Sequence, residues 1–341
     1  MTDRGLREIV AAQTRLSDID GQAGRLWYVG YDINDLAGRT SYEEVVHLLH
    51  ELRLPTQTEL DTLTDFMVEE REVSKFLQDL MPTLAQQTSP MSMLRTSVSA
   101  ASAYDPDGWD DSVEADRRKA LRLIAKTPTL LAMYHRMRTG QEIVPPNTKL
   151  PHAANFLHML LGLEPSQEDA EVIDTTFVLY ADHTMNASTF TARIVASTLA
   201  DMFSAITAAI AALKGPLHGG ANEESMKMLE EVGSPDRAEA YVRDRLDRHQ
   251  KVMGFGHAVY KTMDPRAVVL KRISKETGER HGDTSWYEIS EAIERTVAEQ
   301  KGLFPNVDFY AASVYHTLGI PTDLMTPIFA VARMAGWTAH V

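Results

Sequence analysis

From Ile194 to Leu213 the chain runs for 20 residues with one charged side chain, Asp201, among many Ala, Ser and Thr. A stretch of that length is enough to cross a bilayer. Alanine contributes little to insertion, however, and a central aspartate opposes it. The stretch therefore predicts a buried helix, running from Thr189 to Lys214, whose small residues let another helix come close. It stops at Lys214-Gly215-Pro216-Leu217-His218-Gly219-Gly220-Ala221-Asn222. Gly215 and Pro216 end a helix, as Gly just past a helix and Pro after it commonly do. Asn222 is placed to cap the next helix, whose start favours an anion. Between them sits His218, beside glycines that leave an imidazole uncovered and let backbone approach a ligand.

The rest of the chain is patterned to pack around such a helix. Residues 13–36 hold the only clear β signal, read as a short N-terminal hairpin around Leu26, Tyr28 and Val29. Ser41-Tyr42-Glu43-Glu44 is a capping box that opens a helix ending before Pro55. Helical patterns follow over 58–70 and 73–80, with Met81-Pro82 and Ser89-Pro90 as breaks. They continue over 91–104 and over 113–138, the latter with a break near Thr127-Pro128. Further helices are predicted over 151–163, 168–181, 223–232, 236–250, 267–277, 286–300, 306–318 and 322–337. There is no repeat, no βα alternation and no Gly-rich nucleotide fingerprint, so the expected fold class is all-α.

Two apparent metal motifs carry little weight. His47 and His50 lie three apart on a helix, but no third ligand is near, and a partly exposed helix face accounts for them. Asp105-Pro106-Asp107-Gly108-Trp109-Asp110-Asp111 has its Gly misplaced for an EF-hand and no closing Glu, which leaves an acidic turn.

At 341 residues the chain can build a sizeable core in one large or two domains. It has no cysteine, which excludes disulfides, thiolate metal sites and cysteine nucleophiles and fits a reducing cytoplasm. A formal charge of −14 argues against nucleic acid as the main partner. An anionic substrate must therefore be held by a local cluster of Arg, Lys and His. Met1 to Ala12 carries charges and no apolar signal core, so no secretion signal is expected. No membrane partner is expected either.

Further polar turns have the form of the His218 turn: Gly254-Phe255-Gly256-His257 and Pro305-Asn306-Val307-Asp308. With His183, Arg266 and Arg333 they make up a constellation. Singly, each residue has a bland explanation: a core hydrogen bond for His183, a helix-start ion pair for Arg266, a structural carboxylate for Arg333. Together they suit carbanion or enol chemistry on an anionic substrate. A carboxylate can take a proton next to a carbonyl, and imidazoles can donate to oxygens that gain charge. Arginines grip carboxylates bidentately. The spacing of the three His and the Asp matches no compact metal motif, and two arginines would repel a cation.

In these motifs the chain resembles the citrate synthases of the bacterial and archaeal type. The resemblance is carried by Asp182-His183…Asn186-Ala187-Ser188-Thr189, Gly215-Pro216-Leu217-His218-Gly219-Gly220-Ala221-Asn222, Gly254-Phe255-Gly256-His257…Asp264-Pro265-Arg266, Pro305-Asn306-Val307-Asp308 and Ala332-Arg333…Gly336-Trp337. It runs from Gly5-Leu6 to the last residue. It implies an all-α fold with a large domain, 1–222 and 317–341, and a smaller inserted helical domain, 223–316. It implies a cytoplasmic homodimer joined through the Ala-rich helix, acting in the tricarboxylic acid cycle. It further implies that Asp308 deprotonates the methyl of acetyl-CoA, that His218 donates to the thioester oxygen and that His257 polarises the ketone of oxaloacetate. His183, Asn186, Arg266 and Arg333 would bind oxaloacetate. Val252, Met253, Gly254, Phe255 and Gly256 would face the adenine of CoA, and Lys261 a CoA phosphate. Citryl-CoA would then be hydrolysed, with no metal or bound prosthetic group.

Three departures qualify this. Tyr180 stands where many members have His; methylcitrate synthases resemble the chain there, which keeps propionyl-CoA open as a substrate. Ala258 follows His257 where Arg is common. Members normally continue past the Gly-Trp-x-Ala-His segment into a tail whose Arg reaches the neighbouring subunit's substrate, whereas this sequence stops at Val341. Either the sequence is truncated, or one carboxylate ligand is lacking and oxaloacetate binds weakly to a dimer that still forms. A non-catalytic dimeric scaffold is a third reading, opposed by the presence of all the acid/base residues.

Overall fold

The computed structural model describes residues 12–216 and 218–341. Most of the N-terminal stretch judged above for a signal, with Gly5-Leu6, and Leu217 lie outside them. The fold is all-α apart from one small sheet, as the periodicity predicts. The β signal resolves into three short antiparallel strands in the order β1 (Ser17–Asp20), β2 (Arg25–Tyr28) and β3 (Tyr31–Asp32). Asp20 closes the first turn by accepting from the amides of Gln22 and Ala23. That turn docks on a distant loop: the amide of Lys261 donates to the Gly21 carbonyl at 2.8 Å. A Cβ at Gly24, which has φ +66°, would lie 2.7 Å from the Met263 carbonyl oxygen.

The helices follow in chain order: α1 (Ile33–Leu36), α2 (Tyr42–Glu51), α3 (Gln57–Glu69), α4 (Lys75–Gln87), α5 (Pro90–Ala101), α6 (Val113–Arg138), α7 (His152–Leu161) and α8 (Gln167–Tyr180). Then come α9 (Ala187–Ala196), α10 (Met202–Leu213), α11 (Ala221–Val232), α12 (Pro235–Asp247), α13 (Pro265–His281), α14 (Ser285–Lys301), α15 (Val307–Thr317) and α16 (Met325–His340). The Ser41–Glu44 capping box forms as expected, with Glu44 N donating to Ser41 Oγ at 3.2 Å and Ser41 N to Glu44 Oε2 at 2.7 Å.

Several boundaries differ from the sequence reading. The Ala-rich stretch is two helices, α9 and α10. Leu199 turns the chain with φ +61°, and Asp201 caps α10 by accepting from Ser204 N at 3.0 Å. The single charge in that stretch is thus a helix cap, solvated at a break rather than buried mid-helix. Pro128 lies inside α6 without breaking it. Proline removes the amide that the Ile124 carbonyl would use, and the Thr127 hydroxyl turns back to that carbonyl at 3.4 Å. Pro82 likewise sits inside α4, and Gln78, whose carbonyl loses its partner, is exposed to water. The acidic turn is an ion-pair node: Asp105 and Asp107 grip Arg122, and Asp107 also grips Arg118. His47 and His50 face inward more than expected, meeting the Arg53 carbonyl and the Thr338 hydroxyl.

The last helix, α16, is the centre of the molecule. It touches α2, α5, α6, α8, α9, α10 and α11, and Trp337 and Arg333 are fully buried on it. A helix apolar on nearly every face belongs in a core; a buried arginine there needs a reason. α11, α13, α14 and α15 pack on one another at one side, with α12 against α14. Among the described residues no helix is long and apolar enough to cross a membrane.

Candidate active site

The motif residues arrive at one cleft from helix ends and the turns between them, with Arg333 reaching it from within α16. α8 ends at Tyr180, and His183 lies in the turn before Asn186 caps α9. The chain then reaches His218 through a turn in which His218 N donates to the Gly215 carbonyl at 2.9 Å. Gly219 permits it, since a Cβ there would lie 2.9 Å from the Leu213 side chain. The cap of α11 is Gly220, not Asn222 as the sequence suggested. Asn222 is instead fully buried inside the first turn, where its Oδ1 accepts from Glu223 N and Thr326 Oγ1. Asp264 caps α13 and Asn306 caps α15, which places Arg266 and Asp308 in first turns.

His183, Asn186, His218, Gly256, His257, Arg266, Asp308 and Arg333 line one cleft of about 490 Å³. The His183 and His257 rings are 5.3 Å apart, and Tyr260 packs on both. Asn186 reaches the cleft, but its amide is engaged in capping: Oδ1 accepts from Thr189 N and Ser188 Oγ.

Hydrogen bonds fix how each imidazole presents itself. His257 Nδ1 accepts from the amides of Val259 at 3.0 Å and Tyr260 at 3.2 Å. Its proton is therefore on Nε2, which leaves that nitrogen a donor. His218 Nε2 accepts from Ser188 N at 3.2 Å and lies 2.8 Å from Ser188 Oγ, so its proton is on Nδ1. Burial, followed by the nearby Arg333, pushes His218 down to about 4. Burial and then Arg266 do the same to His257, also to about 4. Both rings are neutral donors at neutral pH. His183 is driven further down by burial, with Arg266, His257 and Arg333 adding to it. Its Nε2 is buried with no partner among the described residues.

The charged groups are unequal. Arg266 is tied to Asp264 by Nε at 3.1 Å and Nη2 at 2.8 Å. Burial opposes the Arg266 charge, but Asp264 more than restores it and the pKa rises. Among the described residues Arg333 has no carboxylate in hydrogen-bond contact. Its Nε donates to the Tyr180 carbonyl at 2.5 Å, its guanidinium lies 4.6 Å from the Phe329 ring, and burial lowers its pKa to about 10. Such a cation is held ready for an anion. Burial raises the Asp308 carboxyl to about 6 against the pull of Arg266, with Asp264 adding to the rise and Arg333 opposing it.

Of the residues expected at CoA, Gly256 lines the cleft. Val252 is buried, and Phe255 pairs with Pro305 and packs on Phe309 at 4.6 Å. Gly254, at φ +78°, lies so close that a Cβ would be 2.7 Å from Ser225 Oγ. Met253 is half-buried and Lys261 is exposed. Sequence reasoning missed Ser188, which accepts from Trp337 Nε1 at 3.1 Å and holds His218, and Tyr260, which backs His257. Ser188 lies within a quoted motif, but nothing local marks it as the partner of His218.

The family model "Citrate synthase, C-terminal domain" matches residues 5–341. The citrate synthase of Haloferax volcanii is 51% identical, covering 99% of this chain and 90% of the relative. The citrate/2-methylcitrate synthase of Bacillus subtilis is 42% identical, covering 99% and 91%. The citrate synthase of Pyrobaculum aerophilum superposes with a TM-score of 0.94 at 41% identity, covering 98% of this chain and 87% of that one. A Thermoplasma acidophilum citrate synthase, solved as a ternary complex with carboxymethyl coenzyme A and oxaloacetate, gives 0.93 at 32% identity, covering 100% and 91%. With a model matching nearly end to end and a relative identical at half its positions, the chain belongs to the citrate synthase family.

Proposed function

We propose that the protein condenses acetyl-CoA with oxaloacetate and hydrolyses the citryl-CoA formed, and that the cleft residues divide the work as follows. Asp308 accepts a proton from the acetyl methyl while His218 Nδ1–H donates to the thioester oxygen, giving an enol. The enol carbon attacks the ketone carbon of oxaloacetate, and His257 Nε2–H supplies the proton to the ketone oxygen. Arg266, Arg333 and His183 hold the carboxylates of oxaloacetate, and water then releases CoA as its thiol. The observation that carries this reading is the meeting in one cleft of the Asp308 carboxylate with two imidazoles whose hydrogen bonds leave each an N–H donor. General acid–base groups work best when poised near the operating pH, and fixed donors stabilise an oxyanion without reorganising. The steps move protons, make one carbon–carbon bond and exchange a carbon–sulfur bond for a carbon–oxygen bond from water, so they call for no external oxidant or reductant.

The same reading takes the segment 223–316 as a smaller domain that closes on the cleft and excludes water. It places the adenine of CoA at Val252–Gly256 and a phosphate near Lys261. It takes the active form as a cytoplasmic homodimer in which α9 and α10 meet their counterparts. The exposure of Ile194 and Leu199 at that end of the molecule supports this.

Thiol release from acetyl-CoA that depends on added oxaloacetate tests the activity; release unaffected by oxaloacetate would overturn it. Propionyl-CoA is a second acyl donor to run beside it. The fully buried Tyr180 packs on Phe329 of the cleft at 4.5 Å, and the Bacillus subtilis relative is named for both products. A higher kcat/KM for propionyl-CoA would make methylcitrate the product.

The pH dependence follows from Asp308. The base works only when ionised, so kcat/KM for acetyl-CoA should fall as pH drops through about 6. The imidazoles, held near 4, stay neutral over that range and add no second limb. An acid limb at the ordinary aspartate position near 4 would show that burial does not raise this base.

A further inference from the structure

The residue before His183 takes no part in the chemistry above, yet its carboxylate is bound from two distant segments. Asp182 is fully buried. Ser17 Oγ, on β1, donates to its Oδ2. His340, at the end of α16, places Nε2 3.1 Å from Oδ1 and 3.3 Å from Oδ2. The amide of Thr184 donates to Ser17 Oγ at 3.0 Å and approaches Asp182 Oδ2 at 3.3 Å. The Asp182 backbone is fixed as well: Tyr28 OH donates to its carbonyl at 2.9 Å and accepts from its amide at 3.2 Å. Burial raises the Asp182 carboxyl, but His340, Arg333 and Ser17 outweigh it and keep it ionised.

The turn these bonds hold is strained. Thr184 has φ +50°, in the left-handed region that a β-branched residue rarely enters. Strain of that kind persists only where the surroundings over-determine it, and it gathers at functional sites. The clamp on the Thr184 amide supplies that determination, one residue from the His183 ring. On the other side, α16 comes close enough to reach because Gly336 has no side chain; a Cβ there would lie 2.6 Å from Asp182 Oδ1. One turn earlier on α16, Arg333 bonds the Tyr180 carbonyl. The Asp182 cluster thus joins the strained turn carrying His183 to the helix carrying Arg333.

We propose that Asp182, clamped by His340 and Ser17, is the positioning residue of the oxaloacetate subsite, fixing the His183 imidazole and the Arg333 guanidinium relative to each other. This rests on the functional reading given above. Asp182→Asn should raise the KM of oxaloacetate about tenfold or more, a scale set by small misplacements of binding groups, and leave that of acetyl-CoA nearly unchanged. His340→Leu should act in the same direction, and His340→Gln, which keeps an N–H donor, should restore much of the loss. Ser17→Ala is the milder variant should Asp182→Asn fail to fold, as judged by far-UV circular dichroism, and should raise the same KM by a smaller factor. Equal rises for both substrates, or lowered melting temperatures with oxaloacetate KM unchanged, would reduce the cluster to a structural one and overturn the proposal. A wild-type chain that shows no oxaloacetate-dependent thiol release would instead overturn the functional reading, and this inference with it.

Discussion

Asp308→Asn is expected to lower turnover by about 10²–10⁴-fold, the usual contribution of a positioned general base, while oxaloacetate still binds. The amide keeps the size of the side chain but cannot accept the methyl proton. Stability should move the other way. Folding raises the Asp308 pKa above that of the unfolded chain, to about 6. The stability linked to its proton is present at low pH and is lost as pH rises through that value. At pH 7 to 8 the wild type therefore carries a half-buried, ionised carboxylate that folding disfavours, and the neutral amide should melt at or above the wild-type temperature. Activity exchanged for stability in this way is what an active-site group predicts. A variant with near wild-type turnover would remove Asp308 from the role of base. A variant that lost turnover and also melted well below the wild type would assign the carboxylate a structural part.

Arg266→Leu and Arg333→Leu should both raise the oxaloacetate requirement far more than that of acetyl-CoA, but they should separate on stability. Arg266 shares a buried, doubly bonded pair with Asp264, with side chains 2% and 1% exposed. Its loss leaves Asp264 buried without a cation, which costs about 3–5 kcal/mol. Asp264 also caps α13, so the damage should reach the helix start. Arg333 has no such partner among the described residues, and burial already opposes its charge. Arg333→Leu should therefore keep most of the wild-type stability and lose substrate affinity. Thermal melts beside titrations of both substrates measure the two effects. Equal melting temperatures for the two variants would contradict the pairing argument, and equal effects on the two substrates would remove the arginines from the oxaloacetate subsite.

Much of this protein was legible in local signals. The 3.6-residue periodicity gave the all-α class, and the capping box at Ser41 marked a helix start that the structure confirms. The Gly, Pro and Asn turns marked the places where His218, His257 and Asp308 leave the helices, and all of them reach one cleft. Local signals misled where the compensation was itself tertiary or subtle. Thr127-Pro128 predicts a break, but the Thr127 hydroxyl and a buried setting let α6 run on. The break between α9 and α10 carries no Gly or Pro, and its mark was the cap pair Asp201 and Ser204.

Fold class, the order of the motifs and the residue types fit for the chemistry are legible locally, because periodicity, caps and turns act over a few residues. What those residues are chemically depends on contacts between distant segments. The proton of His218 is placed by Ser188, itself held by Trp337 across 149 positions. The neutral state of both imidazoles comes from burial helped by Arg266 or Arg333 from other helices, and burial raises the pKa of Asp308 against the pull of those same arginines. The difference between Arg266 and Arg333 is set by whether a carboxylate lies beside each one. The clamp on Asp182 joins Ser17, Asp182 and His340, nearly the whole length of the chain apart. Desolvation and hydrogen-bond partnership depend on which side chains meet in space, and no local pattern encodes that.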